Sequence, residues 1–362
     1  MTWDLWAEGE ARSIRDGGRW RAPRDLDPGA VTFASNDYLG LTQHPAVIAA
    51  AHEALDRDGT GAGSARLIVG SRAVHSELER ELAAWKDMPR AALFPTGFAT
   101  NLGVLSTFGG RGVLICSEEL NHASIIDGCR MAAGDVAVYP HNDLDALQHL
   151  LRNRGARRAL VVTDTVFSMD GDTADLPALF ELCAREGALL VLDEAHAVLG
   201  PAADVPPELA VLRIGTLSKT LGSLGGFVAG PVRYVELVEN LARSYIFTTA
   251  PTPADTAAAL AALRVLRSTE GDALVARLRS HVERLRPGHP SPILPYLCGT
   301  EEAALAAAAA LAERGCIVPA IRPPTVAPGT ARLRVTVSAA HTEEQIEMLA
   351  NALSAILPGV RS

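Results

Sequence analysis

Two lysines stand out in this sequence because arginine supplies nearly every other positive side-chain charge. Of the 33 basic residues, only Lys86 and Lys219 are lysines. Lys86 lies near the end of an amphipathic helical pattern, where a cation suits the negative end of the helix dipole. Lys219 lies in the run GTLSKTLGSLGG, which has no such pattern. An amine bonds covalently to an aldehyde whereas a guanidinium does not, so the contrast predicts chemistry at Lys219.

A carboxylate and an imidazole follow the apolar run ALLVL. Asp193 comes directly after this run and His196 three residues later, while Thr216 and Ser218 precede Lys219 after another run. Alone, Asp193 is typical of a helix cap, but a buried carboxylate is costly without a cation. A carboxylate that holds a pyridinium nitrogen protonated, together with a lysine for the aldehyde, is what pyridoxal 5'-phosphate requires. We therefore predict this cofactor.

The segment PTGFATN is the candidate phosphate site. It follows the apolar run AALF and opens an apolar helical stretch, so the amides of Gly97 and Phe98 would face an anion with the helix dipole behind them. A plain turn between strand and helix is the alternative interpretation of this segment alone. The glycine-rich stretch 59–70 matches neither a dinucleotide motif nor a Walker motif, so neither kind of nucleotide site is indicated.

Alternating strands and helices must position these groups. Short apolar runs separated by helical patterns predict a largely parallel sheet covered on both faces, with its ligand at the carboxyl ends of the strands. The predicted strands begin at Ala91, Gly112, Val136, Ala159, Ala188, Leu212 and Gly225. We expect an α/β fold with an N-terminal arm over residues 1–35, a large cofactor-binding domain over 36–250 and a smaller C-terminal α/β domain over 251–362.

Composition limits the other function classes. A formal charge of -9 gives no electrostatic footprint for nucleic acid or an anionic membrane. The beginning of the chain lacks the pattern of a secretory signal, and the longest apolar run, residues 303–312, is too short to span a membrane. The five cysteines show no CxxC or Cys/His pairing, so we expect neither a metal site nor disulfides. A reducing cytoplasm fits these features best.

Nine strings, in order along nearly the whole chain, resemble the α-oxoamine synthases. They are SNDYLGL, GSARLIVGSRAVHSELE, PTGFATN, NHASIIDGCR, DTVFSMDGD, DEAH, GTLSKTLGSLGGFVAG, FTTAPTP and IRPPTVAPGTARLRVTVSAAHT. The resemblance implies the fold-type I pyridoxal-phosphate transferase architecture and a homodimer with active sites at the subunit interface. It also implies an acyltransferase that condenses an amino acid with an acyl thioester carried by coenzyme A or a carrier protein.

The resemblance assigns roles around the cofactor residue by residue. Lys219 resembles the lysine that binds the cofactor aldehyde and later moves the α-proton. Asp193 resembles the partner of the pyridine nitrogen and His196 the donor to the phenolic oxygen. His122, which outside its NHAS string would be unremarkable, resembles the imidazole stacked on the ring. The remaining cofactor contacts are implied for Gly97, Phe98, Ser168 and Thr216, and for Thr248 or Thr249 from the other subunit.

The substrate residues follow from the same resemblance. Arg334 resembles the arginine that grips the substrate carboxylate, and Asn36 and Thr325 line the pocket. The short arm leaves Arg19 or Arg21 as the N-terminal substrate arginine, and we choose Arg19. Two departures from the family pattern are the loop after His196, two residues shorter than usual, and Asp164 and Thr165 where many members have Glu and Gly.

The strings IRPPTVAPGTARLR and NDLDAL favour the members that condense L-alanine with a pimeloyl thioester. Glycine C-acetyltransferase, 5-aminolevulinate synthase, serine palmitoyltransferase and secondary-metabolite relatives share the mechanism and stay open as alternatives. A non-catalytic partner subunit of the same fold is a further alternative, but such subunits lose the lysine that this chain keeps at Lys219.

Overall fold

A computed structural model describes residues 2–23, 25 and 30–357, and the chain divides into two compact units, Met1–Val31 and Thr32–Ser362. In the first unit, α1 (Trp3–Asp16) begins after Thr2, whose hydroxyl accepts a hydrogen bond from the N–H of Leu5. This side chain satisfies one of the amide donors that a helix leaves open at its start. None of the residues of α1 is buried within the unit.

The second unit holds nearly all of the regular structure. The short strand β1 (Val31–Thr32) stands at its start, and a 3-10 turn (Leu41–Gln43) and a π-helical turn (Arg66–Gly70) lie in its first loops. The other elements are, in chain order, α2 (Pro45–Asp58), α3 (Ala73–Trp85), β2 (Arg90–Phe94), α4 (Gly97–Phe108), β3 (Val113–Glu118), α5 (Ala123–Met131), β4 (Asp135–Tyr139), α6 (Leu144–Arg152), β5 (Arg158–Asp164), α7 (Leu176–Glu186), β6 (Leu189–Asp193), β7 (Val211–Thr216), β8 (Gly226–Gly230), α8 (Val232–Leu241), α9 (Arg243–Ile246), α10 (Pro253–Leu266), α11 (Thr269–Leu285), β9 (Ile293–Gly299), α12 (Glu301–Ala312), β10 (Cys316–Ile317), β11 (Ala320–Ile321), β12 (Ala331–Thr336) and α13 (Glu343–Ile356).

The central sheet has seven strands in the order β2-β8-β7-β6-β5-β3-β4. Strands β3 to β7 all run parallel to one another, and β8 is antiparallel to both β7 and β2. All seven predicted strands are strands of this sheet, which confirms the prediction of a largely parallel α/β fold. The prediction succeeded because strands buried on both faces are apolar at every position, and that pattern is visible in the sequence.

Helices cover both faces of the sheet. Val161 packs in a core cluster with Leu147 and Phe180, which belong to α6 and α7. The next residue of β5, Val162, packs on the opposite face in a second cluster with residues of α4, α5 and α8. Each large apolar side chain buried in this way contributes about 1.5 to 3 kcal/mol relative to exposure. These layers hold the carboxyl ends of the strands in fixed positions.

The ends of the covering helices are set by particular residues. In α7, the carboxylate of Asp175 accepts a hydrogen bond from the N–H of Ala178 at 3.2 Å, which starts the helix. The helix ends at Gly187, whose φ of 62° lies in the left-handed region that favours glycine. The chain can therefore turn at once into β6, which carries Asp193.

A second, three-stranded antiparallel sheet has the order β11-β12-β9. Helix α12 packs against all three of these strands, whereas α10 packs against α2 and α3. This smaller sheet positions β12, which carries Arg332 and Arg334. The predicted division at residues 35 and 250 stays a prediction. Within the described part of the chain, every helix is too short or too polar to cross a membrane.

Candidate active site

Lys219 and His196 meet at the carboxyl end of the central sheet. Strands β6 and β7 are parallel neighbours, so the segments that follow them emerge at the same edge. His196 lies three residues beyond the end of β6, and Lys219 lies three residues beyond the end of β7. Lys219 Nζ is 2.8 Å from His196 Nε2. The structure thus brings together two nitrogen bases that the sequence separates by 23 residues.

Burial sets the protonation of this pair. The low-polarity surroundings lower the pKa of Lys219, and the nearby carboxylates of Asp193 and Asp164 only partly oppose that effect. Burial also holds the pKa of His196 well below its usual range, and the positive charges of Lys219 and Arg334 lower it further. His196 is therefore neutral at pH 7, and the amine of Lys219 loses its proton more easily than an exposed lysine would.

Asp193 is a buried carboxylate, 5% exposed, at the last position of β6. Its Oδ2 accepts a hydrogen bond from Asn101 Nδ2 at 2.7 Å, and its Oδ1 accepts one from the N–H of Ala195 at 2.9 Å. No helix follows β6 directly, so Asp193 is not a helix cap. No cation of the described residues forms an ion pair with it, so this buried negative charge fits a protonated ring nitrogen of a bound cofactor.

His122 lies opposite these groups at the start of α5. Its Nδ1 is 2.8 Å from Ser124 Oγ, and its backbone N–H donates to Asp164 Oδ2 at 2.7 Å. Asn101 Nδ2 also donates to Ser124 Oγ at 2.9 Å, which links His122 to Asp193 through two intervening side chains. His122 as a residue is exposed to solvent, which is compatible with the ring-stacking role predicted for it.

The predicted phosphate site lies at the start of α4. Thr96 caps this helix through a hydrogen bond from the N–H of Ala99 to its hydroxyl at 3.0 Å. A Cβ on Gly97 would lie 3.3 Å from Thr216 Cβ, so α4 begins directly against the end of β7. A Cβ on Gly226 would lie only 2.5 Å from the Gly97 nitrogen, which is why glycine is needed there. The N-terminus of α4 and the side chain of Thr216 therefore lie side by side, an arrangement that fits the predicted phosphate site.

Arg334 is a buried guanidinium, 5% exposed, that points its donors at neutral oxygens. Its Nε donates to the carbonyl of Ser168 at 2.5 Å, one terminal nitrogen donates to Thr336 Oγ1 at 2.9 Å, and the other donates to Asn36 Oδ1 at 3.2 Å. In the part of the chain that the structure describes, no carboxylate forms an ion pair with it. The prediction that Arg334 binds a carboxylate is thus compatible with its setting, and its burial excludes a surface position for this side chain.

The remaining predicted residues differ in how close they lie to this site. Ser168 and Asn36 are within it because both contact Arg334. Thr248 and Thr249 lie in the loop after α9, and Thr325 lies in the loop between β11 and β12. Among the hydrogen bonds of the described residues, none links Thr248 or Thr249 to Lys219. Arg19 belongs to the first unit and follows α1, so its predicted role stays a prediction.

Three residues of the site had no role in the sequence interpretation. They are Tyr38, Asn101 and Ser124, and each lies in a string that carried the family resemblance. Asn101 has a detectable signal, because it is a polar residue one turn into an apolar helix. Tyr38 has none of its own, since a tyrosine before a leucine and a glycine is typical of a core residue.

Lys86 has a different environment from the one expected. Its Nζ pairs with Glu194 Oε2 at 2.7 Å and lies 3.8 Å from the centre of the Trp85 ring. Arg213 contacts the other oxygen of Glu194 at 2.7 Å. The pKa of Glu194 is lowered because the charges of these two cations outweigh its burial. The interpretation of Lys86 as only a helix-end cation was incomplete, because it also neutralises a carboxylate beside Asp193.

The loop after His196, predicted to be shortened, lines a cavity with these charged groups. The cavity has a volume of about 810 Å³ and is bounded by residues 197–207, by Lys86, Glu194 and Arg213, and by Thr220. Thr220 follows Lys219 directly and Glu194 follows Asp193 directly. The loop therefore shares this cavity with the residues that directly follow Asp193 and Lys219.

Comparison with known proteins gives a consistent picture. Residues 28–353 match the family model of class I and II aminotransferases. The 8-amino-7-oxononanoate synthase of Anaeromyxobacter dehalogenans (strain 2CP-1 / ATCC BAA-258) is 49% identical over 344 residues, which cover 91% of this chain and 86% of that protein. The corresponding protein of Burkholderia thailandensis (strain ATCC 700388 / DSM 13276 / CCUG 48851 / CIP 106301 / E264) is 46% identical over 345 residues, which cover 89% and 88%.

Solved structures agree with the sequence comparisons. A serine palmitoyltransferase from S. paucimobilis, solved with bound PLP, superposes with a TM-score of 0.90 at 28% identity and covers 98% of this chain and 97% of its own. The 8-amino-7-oxononanoate synthase from Francisella tularensis superposes with a TM-score of 0.76 at 25% identity, covering 91% and 97%. Both share the arrangement of strands and helices described above.

Proposed function

Because this chain belongs to the α-oxoamine synthases of the class I and II aminotransferase family, which depend on pyridoxal phosphate, we propose that it joins L-alanine to a pimeloyl thioester. The new bond connects the α-carbon of alanine to the acyl carbonyl carbon, the thiol leaves, and the alanine carboxylate departs as carbon dioxide. The product would be 8-amino-7-oxononanoate, on the route to biotin. The names of the relatives with 46 and 49% identity support this choice of substrates.

The residues at the sheet edge would hold the cofactor by complementary groups. When bound, pyridoxal phosphate supplies an aldehyde that bonds to an amine and a ring that withdraws electrons from the α-carbon. Asp193 would hold the ring nitrogen protonated, because it is a buried carboxylate that lacks a cationic partner within the described residues. His122 would stack on the ring, and His196 and Ser168 would lie at its oxygen. Gly97, Phe98 and Thr216 would bind the phosphate at the start of α4.

Lys219 would move the proton at the α-carbon. A base must be unprotonated to accept a proton, and burial lowers the pKa of Lys219 in that direction. Its neighbour His196, at 2.8 Å, is neutral and can exchange a hydrogen bond with Nζ in either direction. The same nitrogen would return the proton to the α-carbon after carbon dioxide has left.

Arg334 would bind the carboxylate of the amino acid. This assignment rests on one observation above the others, the burial of a full positive charge among neutral oxygens. A buried cation is costly unless an anion joins it, so the site favours a carboxylate ligand. The planar guanidinium would make two parallel hydrogen bonds to the two carboxylate oxygens. Asn36 and Thr325 would line the same pocket, and Arg19 stays the predicted substrate-binding arginine of the arm.

A homodimer would complete the active site. Leu67, Ile68 and Val69, in the turn Arg66–Gly70, are 52 to 73% exposed, and Phe247 is 70% exposed. Helix α9, just before Phe247, packs against this turn, and these four exposed side chains are here called the apolar patch. An apolar surface of this kind is typical of a subunit interface. Thr248 or Thr249 would then reach the phosphate of the other subunit, and we expect the protein in the cytoplasm.

The mechanism is shared with other members of the family, which are therefore the second candidate. Glycine C-acetyltransferase, 5-aminolevulinate synthase and serine palmitoyltransferase differ in the amino acid and in the acyl chain. The likeness to the serine palmitoyltransferase structure supports the family and does not discriminate between these substrates. A non-catalytic subunit is disfavoured because Lys219 occupies its place beside His196.

The deciding experiment is a matrix of amino acids against acyl thioesters, measured by release of carbon dioxide and by mass spectrometry of the product. We expect turnover with L-alanine and a pimeloyl thioester carried by coenzyme A or acyl carrier protein. Turnover with glycine or serine and none with alanine would refute the proposed substrates and leave the family assignment in place. The Lys219→Ala variant serves as the negative control for every combination of amino acid and acyl thioester.

A further inference from the structure

An unbroken chain of hydrogen bonds runs from Lys219 to Arg334. His196 Nε2 is 2.8 Å from Lys219 Nζ, and His196 Nδ1 is 2.5 Å from the Tyr38 hydroxyl. That hydroxyl is 3.2 Å from Asn36 Oδ1, which also accepts from Arg334 at 3.2 Å. The chain thus connects the candidate base to the candidate carboxylate site through Tyr38, a residue with no assigned role.

The middle of this hydrogen-bond chain, at Tyr38 and His196, is electrically neutral. Tyr38 is fully buried, and burial raises the pKa of its hydroxyl, although the charge of Arg334 and hydrogen bonding to Arg334 partly offset the increase. The charged or titratable groups that face His196 are Lys219 from the loop after β7, Arg334 from β12 and His122 from the start of α5. All three lower the pKa of His196, so its ring carries one proton. The position of that proton is then set by hydrogen bonding.

Counting protons gives two arrangements of donors and acceptors along this hydrogen-bond chain. In the first, Lys219 donates to His196 Nε2, His196 Nδ1–H donates to Tyr38, and the Tyr38 hydroxyl donates to Asn36 Oδ1. Every short contact then contains one proton. In the second, Tyr38 donates to His196 Nδ1, so that Nε2 carries a proton and can donate toward the cofactor site. The Tyr38 hydroxyl proton decides between them, because it can serve only one of its two acceptors at a time.

We propose that Tyr38 is a positioning residue whose hydroxyl selects the tautomer of His196 and links that choice to the carboxylate site at Arg334. Tyr38 and Arg334 share one acceptor, Asn36 Oδ1. A carboxylate bound to Arg334 changes how strongly this oxygen accepts the Tyr38 proton, and thereby biases the proton on His196. Amino-acid binding and the donor state of His196 are coupled in this way. The inference rests on the proposed function only for the binding of an amino acid at Arg334.

Removing the Tyr38 hydroxyl takes away the hydrogen-bond partner of His196 Nδ1. Tyr38 is the partner of His196 Nδ1 in the described structure, so Tyr38→Phe leaves a buried ring nitrogen without a partner. The phenylalanine ring keeps the packing, because only one oxygen is removed. If Tyr38 had only a structural role, Tyr38→Phe would change the stability of the protein alone. If Tyr38 positions His196, the variant also shifts the pH titration of the group that His196 contacts.

The test is a pH titration of the visible spectrum of the holoenzyme, which needs the cofactor and no substrate. For Tyr38→Phe we expect the spectral midpoint to move by at least about half a pH unit, and the affinity for L-alanine to fall by roughly three- to tenfold. Tyr139→Phe is the matched control, because it removes another buried tyrosine hydroxyl, in a core cluster that contains neither Lys219 nor His196. We expect the control to titrate like the parent.

An unchanged midpoint together with unchanged alanine affinity in Tyr38→Phe would overturn the inference. If that variant does not fold, Asn36→Leu gives a second measurement, since it leaves His196 Nδ1 as the remaining acceptor for the Tyr38 hydroxyl. A midpoint identical to that of the parent in Asn36→Leu would also overturn it. If alanine and a pimeloyl thioester are not the substrates, the matrix of amino acids and acyl thioesters shows it. The spectral titration still tests the role of Tyr38 in that case.

Discussion

Arg332 and Arg334 lie two residues apart on β12 and are both buried, but Arg332 forms an ion pair with Asp170 while Arg334 contacts neutral groups. A sequence pattern cannot separate these two arginines, because residues two apart on a strand lie on the same face. The structure separates them by their partners. Arg332 is already neutralised, whereas Arg334 retains a charge for a ligand.

Replacing Arg334 tests this difference. In Arg334→Ala we expect the cofactor spectrum to change little and the affinity for L-alanine to fall about 10- to 100-fold, since a charge-assisted two-point contact is worth about 1.5 to 3 kcal/mol. Arg334→Lys should recover little, because an ammonium cannot reproduce the planar fork. Spectral titration with alanine measures both, and Arg332→Ala, expected to stay within about threefold of the parent, is the control. Parental affinity in Arg334→Ala would show that the carboxylate binds elsewhere.

The two lysines give a clean test of cofactor attachment. We expect the purified protein to be yellow, Lys219→Ala to lose the absorbance of the lysine-bound cofactor, and Lys86→Ala to keep it, because Lys86 pairs with Glu194. Borohydride reduction followed by peptide mapping locates the covalent adduct directly. An adduct on Lys86 and not on Lys219 would contradict the assignment.

Subunit association should be coupled to cofactor retention. Ile68→Asp places a charge in the apolar patch, where Ile68 is 73% exposed, so we expect it to shift the dimer toward monomer and to speed cofactor loss. Sedimentation velocity and absorbance report the two effects separately. Val138→Asp, at a 62% exposed position of the edge strand β4, should leave both unchanged. A monomeric parent that retains its cofactor would refute the coupling.

His141 should make stability depend on pH. Burial alone would lower its pKa, but hydrogen bonds to Asp172 and Glu118, both at 2.7 Å, outweigh burial and raise it. A raised folded-state pKa contributes stability that is complete below the ordinary histidine value of about 6.5 and is lost as pH rises through the folded value. We expect the melting temperature of the parent to fall over this range more than that of His141→Gln. Parallel pH profiles for the two proteins would exclude this contribution.

Glu194 should matter for stability through its two cationic partners. Glu194→Gln removes the negative charge with which both Lys86 and Arg213 pair. These two largely buried cations then lack that anionic partner. Breaking a buried ion pair on one side costs about 3 to 5 kcal/mol, so urea unfolding should show a loss of that order. Glu181→Gln, an exposed carboxylate in a surface pair, should change the unfolding free energy by less than about 1 kcal/mol. Equal losses in the two variants would contradict the buried character of this cluster.

Much of the fold was predictable because parallel strands and their covering helices impose patterns on nearby residues. Strand β5 contains the apolar run ALVV and β6 the apolar run LLVL, and Asp164 and Asp193 mark where these strands end. The parallel register that places Asp164 opposite Asp193 follows from the same topology. The prediction of chemistry at Lys219 had another basis, the scarcity of lysine in the sequence.

The contacts between distant segments were not predictable. Tyr38 approaches His196 across 158 residues, and Asn36 approaches Arg334 across 298. No periodicity connects such positions, because their meeting depends on how the loop before α2 packs between the two sheets. The pairing of Lys86 with Glu194 was missed in the same way, although each residue was visible in its own motif.

The near absence of lysine has a consequence for an enzyme that handles activated acyl groups. Thioesters acylate free amines without any catalyst, and a lysine ammonium at a protein surface is a common target once it loses its proton. Here Lys86 is held in an ion pair with 13% of its side chain exposed, and Lys219 lies within the site. The other basic side chains, 31 of the 33, are guanidinium groups, which stay protonated and do not attack thioesters. Four of the five cysteines are buried as well. The chain therefore presents few nucleophiles to its own proposed substrate, which would limit self-acylation during turnover.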